Sequence, residues 1–279
     1  MSAGNGHATP LPTWGLPLPT PPGAETMEGV NNTALAENRT RIIDTGSWKP
    51  QNIVMILPAA KMVPVKCALS WMQVFGAPNN GLARWPADVY LAVNTEVGQA
   101  YSLAIENILQ HPQLKDYQYI LTVEHDNTPP QDGLIKLIRH MEMHPEFSCI
   151  SGLYWTKGAD ASGIPSGVPQ IWGDPRDPQI NFRPQPPAVP TGNGWLGGIG
   201  GGPLVECCGT GMGFVLWRMS MFKDTRLRKP WFRTLASSEE GVGTQDLYFW
   251  GDARKWGYRC AVACDVLVGH FDHTTGINW

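Results

Sequence analysis

The sequence predicts an α/β domain with a mostly parallel central sheet covered by helices on both faces. Two observations carry this. Short apolar runs of strand length alternate along the chain with segments whose apolar residues recur at helical spacing, the pattern of consecutive βαβ units. The 279 residues are 42% hydrophobic and only 16% charged, a balance that supports a sizeable core and is unlike that of a disordered chain.

The elements follow in order. Residues 1–50 lack apolar periodicity, and Pro10, Pro12, Pro17, Pro19, Pro21 and Pro22 stand there among Gly, Thr and Ala. They predict an extended N-terminal arm, either wrapped on the domain or a partner or hanging free. Residues 51–279 read as a single domain. Ile53–Leu57, ended by Pro58, is the first strand. Val65–Phe75 is a helix, with Ala68, Leu69, Met72 and Phe75 at helical spacing before Gly76 and Pro78. Val89–Val93 is the second strand. Val97–Leu109 is a helix with Ala100, Leu103, Ala104 and Ile108 on one face, stopped by Pro112. Tyr119–Val123 is the third strand and leads into Glu124-His125-Asp126-Asn127. Asp132–Met143 is an amphipathic helix and Cys149–Tyr154 the fourth strand.

Residues 156–205 lose this regularity and carry Gly, Pro and aromatic residues. A structureless insert of that length is uncommon in a compact domain and is usually functional. Val205–Met219 reads as strand-like and Trp231-Phe232 as a loop. Thr244–Trp256 is a helix stopped by Gly257, and Cys260–Val268 is the last strand before Gly269-His270-Phe271-Asp272-His273. No internal repeat is visible.

Composition excludes several classes. The net charge of −3 argues against a strongly basic nucleic-acid footprint. No apolar run approaches the ~18 residues of a membrane span. The N-terminus has no basic segment followed by an apolar one, so a cytoplasmic protein is expected. Gly 31, Pro 25 and Trp 12 are high, fitting either cleft-forming loops or a loop-rich protein with a Trp-heavy core. The six cysteines form no Cys-x-x-Cys pair. Cys260 and Cys264 fall on one face of a strand, as buried free thiols or, alternatively, a zinc site. The vicinal Cys207 and Cys208 are expected to be buried thiols too.

The chemistry centres on Glu124-His125-Asp126 at the carboxyl end of a strand, where open α/β sheets bind ligands. Two carboxylates one residue apart on an extended chain point the same way. They can hold a hard divalent cation, Mn²⁺ or Mg²⁺, or one can bind metal and the other a sugar hydroxyl. Such triplets also arise by chance. Asp246 opens a helix behind Thr244, a plausible cap, and the helix dipole stabilises its carboxylate. That placement serves a structural cap or a general base equally well. His270, after the last strand, is either a nitrogen ligand or an ordinary hydrogen-bonded histidine; Asp272 and His273 have no clear role. Trp155, Trp172, Trp195, Trp231 and Phe232 are candidates to stack on a sugar or acceptor, or packing residues.

Three segments resemble the GT-A glycosyltransferases, a nucleotide-sugar-dependent class with a Rossmann-like fold, over roughly residues 51–273. Tyr119-Ile-Leu-Thr-Val-Glu-His-Asp126 resembles the strand that ends in the Asp-x-Asp metal motif, varied here to Glu-x-Asp. Gly209-Thr-Gly-Met-Gly-Phe-Val-Leu-Trp-Arg218 resembles the glycine-led strand near the acceptor site. Thr244-Gln-Asp-Leu-Tyr-Phe-Trp-Gly-Asp-Ala-Arg-Lys-Trp-Gly-Tyr258, followed by Val266-Leu-Val-Gly-His270, resembles the "Glu-Asp-x-x-Phe…Ala-Arg-x-x-Gly" helix and its trailing "Val-Gly-His". This last segment is the most specific.

The resemblance, to the family-2-like bacterial or phage members, implies roles residue by residue. Asp126 would bind the metal, with His270 as a second ligand. Glu124 would touch the donor ribose or sugar. Asp246 would be the base of an inverting enzyme, or would position the acceptor or sugar in a retaining one. Trp195, Trp231 and Arg233 are acceptor-side candidates. Three departures stand out: Glu at 124, Gln245 before Asp246, and Gly98-Gln-Ala-Tyr-Ser102 in place of an Arg-Asn helix.

The implied function is metal-dependent transfer of a sugar, from a UDP-sugar by preference, to an acceptor hydroxyl on polysaccharide, protein or modified nucleic acid. Arg226, Arg228, Lys229 and Arg233 beside Trp231-Phe232 keep open a phage-type enzyme acting on hydroxymethylated DNA bases. A nucleotidyltransferase would want a Gly-rich phosphate loop after the first strand, where Pro58-Ala-Ala-Lys-Met-Val-Pro64 stands. A non-catalytic nucleotide-sugar-binding protein is the remaining alternative.

Overall fold

A computed structural model describes residues 53–59, 62–75, 87–93, 96–159, 165–177, 179, 181–237 and 241–279. The expected N-terminal arm lies outside the described residues.

The first half alternates as expected: β1 (Ile53–Ala59), α1 (Val65–Phe75), β2 (Ala87–Val93), α2 (Val97–Gln110), β3 (Tyr119–Val123), a two-residue β4 (Asn127–Thr128), α3 (Gly133–Met143) and β5 (Cys149–Leu153). The irregular insert has more structure than its sequence suggested. It holds the hairpin β6 (Trp155–Ala159) and β7 (Pro165–Pro169), a short β8 (Ile171–Trp172), and the hairpin β9 (Val189–Thr191) and β10 (Gly194–Leu196). Short strands full of Gly and Pro give no period-2 signal to read. The strand-like stretch that follows divides into β11 (Leu204–Cys207), β12 (Gly209–Thr210) and β13 (Phe214–Arg218). A short α4 (Met219–Phe222) and the pair β14 (Leu235–Ser237) and β15 (Gly241–Gly243) lead to α5 (Gln245–Ala253), β16 (Cys260–Leu267) and β17 (Gly269–His270). Past α5 the chain turns at Gly257, whose φ of 81° is the left-handed conformation that glycine adopts freely.

Seven strands form the central sheet in the order β11-β16-β5-β13-β3-β1-β2. The sheet is mixed: β1, β2, β3, β5 and β16 run one way, and β11 and β13 the other. β1 pairs in parallel with β2 and β3, and β16 with β5, but β13 runs antiparallel between β3 and β5, and β11 antiparallel at the edge. Phe214–Arg218 reads the same as a parallel core strand because it is buried on both sides.

Helices cover both faces, as expected. Alternate residues of β1 point to opposite cores. Val54 and Ile56 pack with Tyr101, Ala104, Ile105 and Ile108 of α2. Ile53, Met55 and Leu57 belong to the second core, which also holds Leu134, Leu137, Ile138 and Met141 of α3. The first core is strongly aromatic: Trp217 is surrounded by Phe222, Phe232, Phe249 and Trp250 at centroid distances of 5.6–6.1 Å. α1 buries a different stripe from the expected one. Cys67 and Val74 are buried with Trp71 and Phe75 packed beside them, while Leu69 and Met72 face out. In α2, Leu103 is likewise exposed and Tyr101 and Ile105 take the core face.

All six cysteines are free and buried. Register aligns Cys207 with Cys260 and Cys260 with Cys149 across three strands, and the Sγ atoms of Cys207 and Cys260 are 3.7 Å apart. No helix among the described residues is long and apolar enough to cross a membrane.

Candidate active site

The candidate residues gather at the end of the sheet where β3 and β5 finish. Glu124 follows β3 directly. The antiparallel strand β13 begins at that same end, with Phe214 opposite Val123, and the Glu124 N–H donates to the Gly213 carbonyl at 3.1 Å. The chain does not continue extended through the acidic triplet. The Asn127 N–H donates back to the Glu124 carbonyl at 3.1 Å, closing a turn with His125 and Asp126 at its corner. This corrects the expectation that an extended backbone aims both carboxylates one way.

β17 brings in the last segment. His270 pairs with Asn127, and the Phe271 N–H donates to the Asp126 carbonyl at 2.8 Å. His270 Nε2 then lies 3.5 Å from Asp126 Oδ2. Asp246, in the first turn of α5, is buried, and its charge bears on Glu124. The structure therefore brings together Glu124, Asp126, Asp246 and His270 from three distant stretches of chain.

Their electrostatics differ. Burial, then the charges of Asp126 and Asp246, push the Glu124 carboxyl up to about 8, against the lowering effect of the Tyr101 hydroxyl 3.4 Å from Oε1. Burial would raise Asp126 too, but hydrogen bonding and charge from His270, with the charge of His125, hold it below the usual carboxylate range. Burial raises Asp246; hydrogen bonds from the Thr244 side chain and the Leu247 N–H, the latter at 2.9 Å to Oδ1, only partly offset it. Thr244 occupies the N-cap position without a side-chain bond to the helix backbone, so its hydroxyl serves Asp246 instead of the expected cap.

Sequence reasoning missed several members of the site. Tyr154 follows β5; its hydroxyl accepts from the Gly213 N–H at 3.0 Å and its ring lies 6.0 Å from that of His270. The glycine-led segment exists to admit it. A Cβ at Gly211 would overlap the Tyr154 hydroxyl, and one at Gly213 would come within 2.6 Å of Asn127 Oδ1. Tyr101 was visible only as part of a departure from a motif. His273 had no role in the sequence and His125 was merely the residue between two acids; here their rings stack at 5.4 Å.

The acceptor-side candidates divide. Trp231 and Phe232 are core residues at 1% exposure each, which overturns Trp231 as a stacking platform: it packs edge-on against Phe222 at 5.8 Å. Trp195 is half-buried on β10 and packs against the aromatic core. Trp172 donates Nε1–H to Gln170 at 3.2 Å. Arg233 is exposed beside the first turn of α2, where the neighbouring Phe232 backbone is bonded both ways by the Ser102 hydroxyl. The neighbouring basic residues are also engaged within the chain. Arg226 pairs with Asp224 and lies over Trp256, Arg228 lies over Tyr248, and Lys229 lies over Trp231.

The donor set suits a divalent cation. Asp126 Oδ1 and His270 Nδ1 are buried without a hydrogen-bond partner among the described residues, a costly state that a ligand would relieve. His125, Asp126 and His273 each offer a ligand atom, all within 4.8 Å of one another.

No protein-family model and no curated protein matches the chain. Among solved structures, A197 from STIV aligns at 13% identity over 80% of this chain and 86% of its own, with a TM-score of 0.50. TarS of S. aureus aligns at 13% identity over 78% of this chain, with a TM-score of 0.39, and the matched part spans 36% of TarS. The likeness to A197 is one of fold.

Proposed function

We propose that residues 51–279 form a single catalytic domain that transfers a glycosyl group, in the cytoplasm, from a nucleotide-diphosphate sugar to an acceptor hydroxyl with the help of Mn²⁺ or Mg²⁺. The observation that carries this reading is the convergence of Glu124, Asp126, Asp246 and His270 at the strand ends. Those are the positions that the motif resemblance singles out. Asp126 and His270 would hold the cation; when bound, it neutralises charge on the diphosphate that departs.

The remaining steps belong to the chain itself. Asp246 accepts the proton of the acceptor hydroxyl while that oxygen bonds to the anomeric carbon and the bond to the diphosphate breaks. Its raised basicity and its buried position both favour the task. Glu124, protonated near neutrality, can both donate to and accept from a sugar or ribose hydroxyl without adding repulsion against the diphosphate. Tyr101 and Tyr154, whose phenols burial and then the Glu124 charge hold far above neutrality, stay protonated hydrogen-bond donors. A UDP-sugar is the favoured donor, and a polysaccharide, protein or modified nucleic acid the acceptor. The internal pairing of Arg226, Arg228 and Lys229 weighs against the DNA-base acceptor.

The test is a donor screen. Purified protein is incubated with UDP-, GDP-, CMP- and dTDP-sugars, with Mn²⁺, Mg²⁺ or EDTA, and released nucleotide is measured alongside calorimetric binding. Metal-dependent release or binding of one donor is expected. Asp126→Ala should abolish metal-dependent donor binding, and Asp246→Asn should abolish turnover while donor binding stays near normal. Absence of both release and binding across the panel overturns the reading.

A further inference from the structure

We infer that His125 and His273 are metal ligands alongside Asp126, making a nitrogen-rich site that selects a borderline transition ion over Mg²⁺. The inference rests on the metal reading of Asp126 given above and changes the ligand set around it.

The turn at residues 124–127 is what makes this visible. On a continuous strand His125 would face away from both acids. With the Asn127 N–H closed onto the Glu124 carbonyl, His125 and Asp126 occupy adjacent corner positions instead. The second segment is pinned to the first by the Phe271 N–H bond to the Asp126 carbonyl at 2.8 Å. Two residues on, the chain turns again: the Thr274 N–H donates to Asp272 Oδ1 at 2.8 Å and the Thr275 hydroxyl to Oδ2 at 2.9 Å. His273 sits in that turn. Its ring lies 5.4 Å from His125 and 5.5 Å from Phe271, edge-on to the latter. A backbone tie and a fixed turn thus set both imidazoles beside one carboxylate.

Ligand atoms of His125, Asp126 and His273 lie within 4.8 Å of one another. Bonds of ~2.0–2.2 Å to one ion bring ligand atoms to within ~3.0–3.5 Å of one another, an approach that rotation of the His125 and His273 side chains can supply. Independently, Asp126 Oδ1 is buried and unpartnered among the described residues, so the shared carboxylate has an acceptor position open for a cation. Three protein ligands leave further coordination positions for substrate oxygens, the pattern of catalytic sites. Two imidazoles and a carboxylate suit Zn²⁺, Co²⁺ or Mn²⁺, in falling order of affinity for nitrogen. Mg²⁺ prefers oxygen ligands in an octahedral shell. His270, with Nε2 3.5 Å from Asp126 Oδ2, would orient the carboxylate in this arrangement.

The experiment is direct metal binding to the untagged full chain, with Co²⁺ as the probe. Visible absorption of Co²⁺ reports nitrogen ligation without substrate, and competition with Mg²⁺, Mn²⁺ and Zn²⁺ gives selectivity. His125→Ala and His273→Ala should each weaken Co²⁺ binding at least tenfold and move the absorption bands, with circular dichroism confirming the fold. His125→Gln and His273→Gln, which keep a polar side chain, should fail in the same way if either alanine variant does not fold. Mg²⁺ should compete only at far higher concentration. Co²⁺ binding that survives both histidine changes but is lost in Asp126→Ala or His270→Ala overturns this inference and leaves the glycosyl-transfer reading standing. Histidine-dependent Co²⁺ binding in a protein that binds no nucleotide-sugar supports the site and overturns the transfer reading.

Discussion

The hydroxyl of Tyr154 accepts a hydrogen bond from the backbone N–H of Gly213 at 3.0 Å. The bond ties the end of β5 to the start of β13 and sets the Tyr154 ring beside His270. Tyr154 and Gly213 are both buried, so no water replaces the hydroxyl if it is removed. Tyr154→Phe should leave that N–H unsatisfied, at a cost of about 1–3 kcal/mol. For a domain of this size that is a fall in Tm of about 2–12 °C. Gly213→Ala should cost more, because its Cβ would press on Asn127 and on Tyr154 itself. Thermal denaturation of the two variants checks both; a Tm unchanged in Tyr154→Phe would show the bond to be dispensable.

The elements that sequence reading located best are those with one clear period. Val65–Phe75 and Tyr119–Val123 have the bounds expected of them: Pro64 and Gly76 bracket the first, and the second is an apolar run that stops at the polar residues Gln118 and Glu124. Which face α1 buries was not legible. Leu69 and Met72 are as apolar as Trp71 and Val74, and only the position of the sheet decides between the two stripes. The direction of β13 was hidden for a related reason: burial on both sides erases the alternation that marks an antiparallel strand.

In the site, Glu124, Asp126, Asp246 and His270 stand at element ends in the sequence, but each alone reads equally as a chance acid, a cap or an ordinary histidine; the motif resemblance is what singled them out. It did not single out His125, His273 or Tyr154. Whether His125 faces Asp126 depends on one hydrogen bond, Asn127 N–H to Glu124 carbonyl, and nothing in the residue types announces it. A histidine flanking an acid at both ends of the pairing, in Glu124-His125-Asp126 and Asp272-His273, was the signal that could have raised the question.

The six thiols give a simple check of the core. Each is buried, and burial holds Cys67 and Cys264 up to about 11. Cys207 is raised too, by its hydrogen bond with Cys260 and then by burial. The thiolate is the reactive form. A thiol reagent at pH 8 should therefore label almost nothing in the native protein and all six cysteines after denaturation. Rapid labelling of any one of the six in the native state would contradict its burial.

Trp231 and Trp195 should separate cleanly by stability. Trp231 is 1% exposed, packed against Phe222 and covered by the Lys229 ammonium at 4.5 Å. Replacing it with alanine empties a core position, at a cost of about 3–5 kcal/mol. Arg233 is exposed, and Arg233→Ala should change stability by less than about 0.5 kcal/mol. Trp195→Ala, at a half-buried side chain on an otherwise exposed hairpin, should fall between the two. If Trp195 or Arg233 meets the acceptor, its variant should raise the KM for acceptor at near-normal Tm, whereas Trp231→Ala should lower Tm first. Denaturant midpoints read with acceptor kinetics decide the matter.

Asp246 links stability to pH through its burial. In the unfolded chain its carboxyl ionises near about 3.9; in the folded chain burial raises it. Between those two values the unfolded state binds fewer protons than the native one, so stability falls as pH rises through the window and stays lower above it. Asp246→Asn keeps an oxygen for the Leu247 N–H and removes the buried charge. Its Tm relative to the parent protein should therefore be higher at pH 8 than at pH 4, while turnover is lost. A Tm difference independent of pH would mean that the native carboxyl titrates as an exposed one does. A pH-dependent gain with turnover intact would confirm the buried charge and remove Asp246 from the role of base.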